Sequence, residues 1–180
     1  MPAEMPPEEW IGSSQAYFDR ELSWLSFARR VLALVEDRDL ALLERVKFAG
    51  IMGMLHDEFF MKRMSGIKRQ IQKGSKKASL DGRLPQDELA ACREELLRQS
   101  EKLARAVREE ILPALAHERL PILDHDRLDA AQKEHLREYF RLSVLPILTP
   151  LAVDAEHPFP FISNVGLNLA VVLPDDDGDR

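Results

Sequence analysis

Residues 40–72, "LALLERVKFAGIMGMLHDEFFMKRMSGIKRQIQ", carry the pattern that decides the fold. Apolar residues at Leu43, Val46, Met54, Leu55, Phe59, Ile67 and Ile71 recur near helical steps, which predicts one long amphipathic helix over the whole stretch. Gly50, Gly53 and Gly66 lie inside it. A glycine costs roughly 1 kcal/mol against alanine in a helix interior, so close helix contacts or a kink are expected at these three positions.

The flanks extend the same pattern. Upstream, "SWLSFARRVLALVED" (23–37) places Trp24, Phe27, Val31 and Val35 at three- and four-residue steps, with Ser23 as the expected N-cap. Downstream, "GSKKASLDGRLP" (74–85) breaks the pattern as a loop. A third helix follows from 86 to about 117, with Leu89, Cys92, Leu96, Leu103, Val107, Ile111 and Leu115 on one face and Pro113 disturbing its last turn. Three such helices with short connections predict an antiparallel helical bundle.

After Arg119 the texture changes. "LPIL" (120–123) is short and extended, "DAAQKEHLREYFRLSVLPIL" (129–148) is a further helix, and the proline-rich stretch that follows leads into "LNLAVVLP" (167–174), whose apolar run has the composition of a strand. A single strand needs partners, and nothing upstream offers several, so the second part is expected to be incomplete or completed by another chain. The fold class is therefore mainly α, an antiparallel helical bundle followed by an incomplete α/β segment. Residues 1–14, with three prolines, are expected to be a flexible leader, and the acidic tail from about residue 175 to be disordered.

Composition narrows the function. The chain has 180 residues, 45% hydrophobic and 31% charged, enough for one domain or one and part of a second. No run approaches the roughly 20 apolar residues that cross a bilayer. The start, "MPAEMPPEEW", is acidic and proline-broken rather than basic and then apolar, so export is not expected and a cytoplasmic location is. Cys92, the one cysteine, has no internal disulfide partner and sits in a helical context, the setting of a packing residue.

Charge is unevenly spread. The net charge is −6, which argues against general nucleic-acid binding, yet residues 62–83 hold eight basic residues and one acid, a local charge of +7 that leaves −13 on the rest. Lys62, Arg69, Lys73 and Lys76 recur at steps of seven, four and three, close to one side of a helix and its exit, with Lys68 and Lys77 beside them. Such a stripe attracts polyanions, and a linear phosphate polymer suits it. It is equally the composition of an ordinary solvated helix face.

No catalytic constellation is present. His56, Asp57 and Glu58 are consecutive and fan out by about 100° each on a helix, so they do not converge on a metal. The residue four after His56 is Phe60, which excludes the zinc-protease spacing. His117, His125, His135 and His157 are scattered, and neither glycine-rich phosphate-loop motif occurs.

Four stretches in order, "YFDRELSWLSFARRVL" (17–32), "LLERVKFAGI" (42–51), "DEFFMKRMSGIKRQI" (57–71) and "PLAVDAEHPFPFISNVGLNLAVVLP" (150–174), resemble the N-terminal part of the bacterial polyphosphate kinases of the first family. The resemblance spans residues 17–174. It implies an enzyme that reversibly moves the terminal phosphate of ATP onto inorganic polyphosphate through a phosphohistidine, with magnesium. It also implies an architecture in which residues 15–118 are the helical domain and 119–180 only the start of the head domain, which makes dimer contacts. The domains that hold the catalytic histidine are not in this sequence, so no catalytic residue and no cofactor site of its own are expected, and the chain alone is expected to be inactive.

The resemblance further assigns a nucleotide-contact position. The family has an asparagine near the adenine ring in a segment S-[SN]-N-L-D-E-F, and counting back from Asp57-Glu58-Phe59 that position is Leu55, with His56 where the family has leucine. Leucine can pack on a purine face but has no side-chain hydrogen bond to offer. Asp19 and Ala28, both commonly asparagine in the family, and Ala155-Glu156 are further departures. Two rival readings stay open: a non-catalytic module that binds polyphosphate or a full-length kinase, and a vestigial helical protein without a ligand.

Overall fold

The computed structural model describes residues 11, 13–154, 156–163 and 166–173, which leaves most of the expected leader and the acidic tail outside the described residues. The chain divides into two units, Met1–Ile122 and Leu123–Arg180.

The first unit is a helical bundle. Helix α1 (Arg20–Glu36) is followed by α2 (Leu42–Glu58), a π-helical turn (Phe59–Met64) and α3 (Ser65–Gln72), which together form one rod over the stretch where a single helix is expected. Helix α4 (Pro85–Arg105), a second π turn (Ala106–Ile111) and α5 (Leu112–His117) form the third rod. Contacts fix the directions. Trp24 at the start of α1 stacks on Phe59 at the end of α2, with ring centroids 5.0 Å apart, while Arg45 at the start of α2 donates from Nε to the Val35 carbonyl near the end of α1. These two helices are antiparallel, and the third rod, joined to α1 by Arg29–Glu95 and to the turn after α1 by Arg38–Glu110, runs parallel to α1.

Two buried clusters form the core. One gathers Ala28, Leu32, Val35, Met52, Ala106, Ile111 and Leu115, and the other Leu25, Phe59, Met64, Ile67, Cys92 and Leu96. Burial of each large side chain contributes about 1.5–3 kcal/mol. The π turns serve this packing: Ser65 N donates to Phe60 O, a five-residue step, and the extra residue lets Phe59 and Met64, five apart, both face inward. The second π turn lies just before Pro113, which has no N–H to give the preceding turn, so the expected disturbance takes the form of a widened turn rather than a break.

Several expectations are corrected here. The N-cap of α1 is Asp19, whose Oδ1 accepts from Leu22 N at 2.8 Å, and Ser23 lies within the helix. The buried face is Leu25, Ala28, Leu32 and Val35, so Phe27 is 53% exposed and Trp24 and Val31 sit at the margin. Leu43 and Met54 are exposed as well. The glycines are not close-contact points: a Cβ on Gly50, Gly53 or Gly66 would meet nothing within 4 Å.

The rods end by capping. At Gly74 (φ 67°) the Schellman pair Gly74 N to Ile71 O and Ser75 N to Gln70 O closes α3. Arg119 (φ 63°) takes the same left-handed position after α5, with Leu120 N bonding Leu115 O at 2.8 Å.

The second unit holds α6 (Ala130–Tyr139), which opens on a complete capping box between Asp129 and Gln132 and runs through a π turn (Phe140–Val144) into a short 3₁₀ turn (Leu145–Ile147). None of its described residues is buried. Of the strand expected over 167–174, residue 174 lies outside the described residues and 167–173 form none: among the described residues there is no strand, and Leu167, Leu169, Val171, Val172 and Leu173 are exposed. A strand has no stability without a ladder partner, and the described residues supply none.

Candidate functional site

The residues singled out by sequence lie along the α2–α3 rod and in the loop after it, and the fold treats them differently. Leu55 is half-buried and packs against the first core cluster. His56 turns toward α4. Glu58 faces solvent and accepts from Lys62 Nζ at 2.8 Å, an interaction that holds the Glu58 carboxyl below its usual range. The three consecutive polar residues point in different directions, and among the described residues no three His, Cys, Asp or Glu side chains gather to hold a metal.

The basic segment divides in two. Lys62 pairs with Glu58, Arg63 lies 3.6 Å from Glu21, and Arg83 pairs with Asp81 at 2.9 Å, so these three charges are locally compensated. Lys68, Arg69, Lys73, Lys76 and Lys77 are exposed, and none makes an ion pair with a described residue. Their charges sit at the end of α3 and in the loop after it, where cations also complement the negative end of the helix dipole. Unpaired Lys and Arg spread along one surface can follow a chain of phosphates.

A buried polar network, not foreseen from sequence, links the three rods beside Leu55. Gln99 is 1% exposed and donates from Nε2 to Leu25 O at 2.9 Å and to Glu95 Oε1 at 2.8 Å. Its Oε1 lies 3.2 Å from His56 Nε2. Glu95 also receives Arg29 from α1 (2.7 Å) and Arg98 (2.6 Å). Burial alone would push the Glu95 carboxyl up; the Gln99 hydrogen bond and the two arginines more than offset it and hold the group below the usual carboxylate range. The available signal was placement: Glu95 and Gln99, four apart, lie on the same face as Cys92, Leu96 and Leu103.

A second polar cluster surrounds the start of α1. Asp19 and Glu21 are buried, and Asp19 Oδ2 and Glu21 Oε2 have no hydrogen-bond partner. Burial, then the charges of Asp19 and Glu21, raise Glu88, and burial with the same carboxylates pushes the Cys92 thiol up to about 12. Cys92 is a buried free cysteine in the second core cluster, so it packs.

Comparison with known proteins places the chain. The family profile of the polyphosphate kinase N-terminal domain matches residues 17–123, more than half of the sequence. The chain belongs to the polyphosphate kinase family. The profile of the polyphosphate kinase middle domain matches residues 131–180. A polyphosphate kinase of Mycobacterium marinum is 46% identical over 166 residues, 91% of this chain and 22% of that relative, and one from Mycobacterium tuberculosis is 44% identical over 165 residues with the same coverage. The crystal structure of polyphosphate kinase from Porphyromonas gingivalis superposes with a TM-score of 0.66 at 31% identity, over 82% of this chain and 21% of that one. The chain thus spans about a fifth of the length of the relatives it matches. Among the described residues no helix is long and apolar enough to cross a membrane.

Proposed function

We propose that this chain serves as the N-terminal part of a polyphosphate kinase that reversibly transfers the terminal phosphate of ATP onto inorganic polyphosphate in the cytoplasm. The match of residues 17–123 to the family's N-terminal domain carries this reading. In it the chain supplies no catalytic residue and is inert alone as a phosphotransferase. It contributes a nucleotide-side wall around Leu55, and the second unit contributes contacts within a homodimer. Magnesium enters with ATP, as the family resemblance implies.

The cations Lys68, Arg69, Lys73, Lys76 and Lys77, which have no ion pair among the described residues, guide the polyanionic substrates by long-range attraction, with Lys62 at the near end. This part of the reading also suits a non-catalytic module that binds polyphosphate, because attraction needs no reacting group. The test is polyphosphate binding at low and high salt by the chain and by the triple variant Lys68→Glu, Arg69→Glu, Lys73→Glu. Affinity should fall roughly tenfold or more in the variant at low salt, with the gap closing as salt rises. Equal affinity for both proteins would overturn the guidance role.

A further inference from the structure

The start of α1 holds a carboxylate oxygen that no described residue satisfies. Asp19 is 7% exposed; its Oδ1 caps the helix by accepting from Leu22 N at 2.8 Å, while Oδ2 is buried without a hydrogen-bond partner. Glu21 Oε2 also has no hydrogen bond, but Arg63 stands 3.6 Å from it and Arg20 donates to the other oxygen. Asp19 makes no ion pair with a described residue. Burying a carboxylate oxygen without a donor is unfavourable, so a ligand that brings an N–H to it gains an interaction the fold alone does not supply.

Asp19 also lines a cavity of about 450 Å³, together with Tyr17, Phe18, Ser26, Asp81 and Arg83 among others. Two hydroxyls of this lining have donated their hydrogens elsewhere, Tyr17 to Ile11 O and Ser26 to Leu22 O, which leaves both oxygens as acceptors. Arg83 is already bonded through Nε to Asp81 Oδ2 at 2.9 Å. Around the cavity the carboxylates of Asp19, Glu21, Asp81 and Glu88 stand against the guanidinium groups of Arg20, Arg63 and Arg83, four acids to three bases. The surplus negative charge is felt by its neighbours: burial, then the charges of Asp19, Glu21 and Asp81, raise the Glu88 carboxyl. Phe18, 94% exposed, adds the face of an aromatic ring.

We propose that this cavity binds a guanidinium cation, which donates to Asp19 Oδ2 and lies with its flat face against the Phe18 ring. A fork of several N–H donors matches acceptors set at different points of the wall, and a planar, delocalised cation stacks on an aromatic ring where a compact ammonium does not. A metal ion fits less well, because among the described residues no three His, Cys, Asp or Glu side chains gather to ligate one. Two sources carry the group: a free guanidinium compound and an arginine side chain of another polypeptide segment. Neither nucleotide nor polyphosphate binding is required for it.

The experiment is an NMR titration of the full 180-residue chain, read at the Asp19 carboxyl carbon, the Phe18 ring and the amides of residues 17–26, with agmatine as the free cation and N-acetylarginine amide as the side chain. Saturable shifts are expected, and the probe that binds more tightly assigns the source. Asp19→Asn keeps the N-cap, since asparagine caps as well as aspartate, and should weaken binding about tenfold or more, the effect of losing a charge-assisted hydrogen bond. Phe18→Leu, at an exposed side chain, should leave the urea midpoint in place and weaken binding about twofold to fivefold. Tetramethylammonium, a cation without N–H donors, should shift none of these resonances. The absence of a saturable shift with both probes overturns the proposal, as does binding of equal strength to the Asp19→Asn chain. Equal shifts from tetramethylammonium or magnesium overturn it too, because attraction of any cation would then explain them.

Discussion

The two units contrast in how far local sequence signals carry a fold. Both contain a capped helix: α1 opens on Asp19 and α6 opens on the Asp129–Gln132 capping box, by the criteria of hydrogen bonding the better of the two. Yet α1 buries Leu25, Ala28, Leu32 and Val35 against its neighbours, while among the described residues of the second unit Leu136, Tyr139, Phe140 and Leu142 all remain exposed. Caps and periodicity form a helix. Only a facing apolar surface makes it part of a core.

The largest expected effect comes from the core. Phe59→Ala removes the ring that stacks on Trp24 and should cost about 3–5 kcal/mol in urea unfolding of the first unit. Phe161→Ala, at a side chain 93% exposed, should stay within about 0.5 kcal/mol. Comparable losses at both positions would erase the contrast.

Next is the polar network. Gln99→Leu leaves the Leu25 carbonyl and part of the Glu95 carboxylate without their donor and should cost about 1–3 kcal/mol. An unchanged urea midpoint would mean that the three rods are held by apolar packing alone.

The two N-caps sharpen the comparison at smaller scale. Asp19→Ala should destabilise the whole bundle by about 1 kcal/mol, seen in every probe of unfolding. Asp129→Ala should lower helicity in α6 only and leave the bundle's midpoint in place.

Acid should act mainly on the first unit. Hydrogen bonds from Arg38 and then Arg45 lower the Glu110 carboxyl from an ordinary 4.5 to about 2. A group lowered on folding stabilises the native state above its unfolded value, so this contribution is complete above pH 4.5 and is lost as pH falls toward about 2. Glu95, also lowered, adds a loss of the same sign. Urea midpoints measured between pH 7 and pH 3 should fall at the acid end, and Glu110→Gln should flatten that fall.

How much of this was legible follows from the same physics. The rods and their order could be read because their apolar residues recur at helical spacing, and Cys92, Leu96, Ile111 and Leu115 fall on the buried face as expected. The rotation of α1 differs from the expected one because Trp24 and Phe27 weigh heavily by hydrophobicity, while Ala28, a small residue, marks the face where helices meet. The π turns escaped because a five-residue step resembles noise in a 3.6-residue pattern. At the candidate site, the basic segment was visible as composition, but the pairing of Lys62, Arg63 and Arg83 depends on acids brought in by the fold or an adjacent turn. The contact of His56 with Gln99 joins residues 43 apart, and no local pattern could convey it.

The account stands on the claim that the family's N-terminal domain here is a self-supporting bundle. Amide hydrogen exchange of the 180-residue chain, followed residue by residue, tests it most directly. The account predicts that the centres of α1, α2 and α4 exchange together at the slow rate of global unfolding, while residues 166–173 exchange at rates close to those of an unstructured peptide. Rapid exchange in α4 around Cys92–Gln99, or protection over 166–173 equal to that of the bundle, would contradict it.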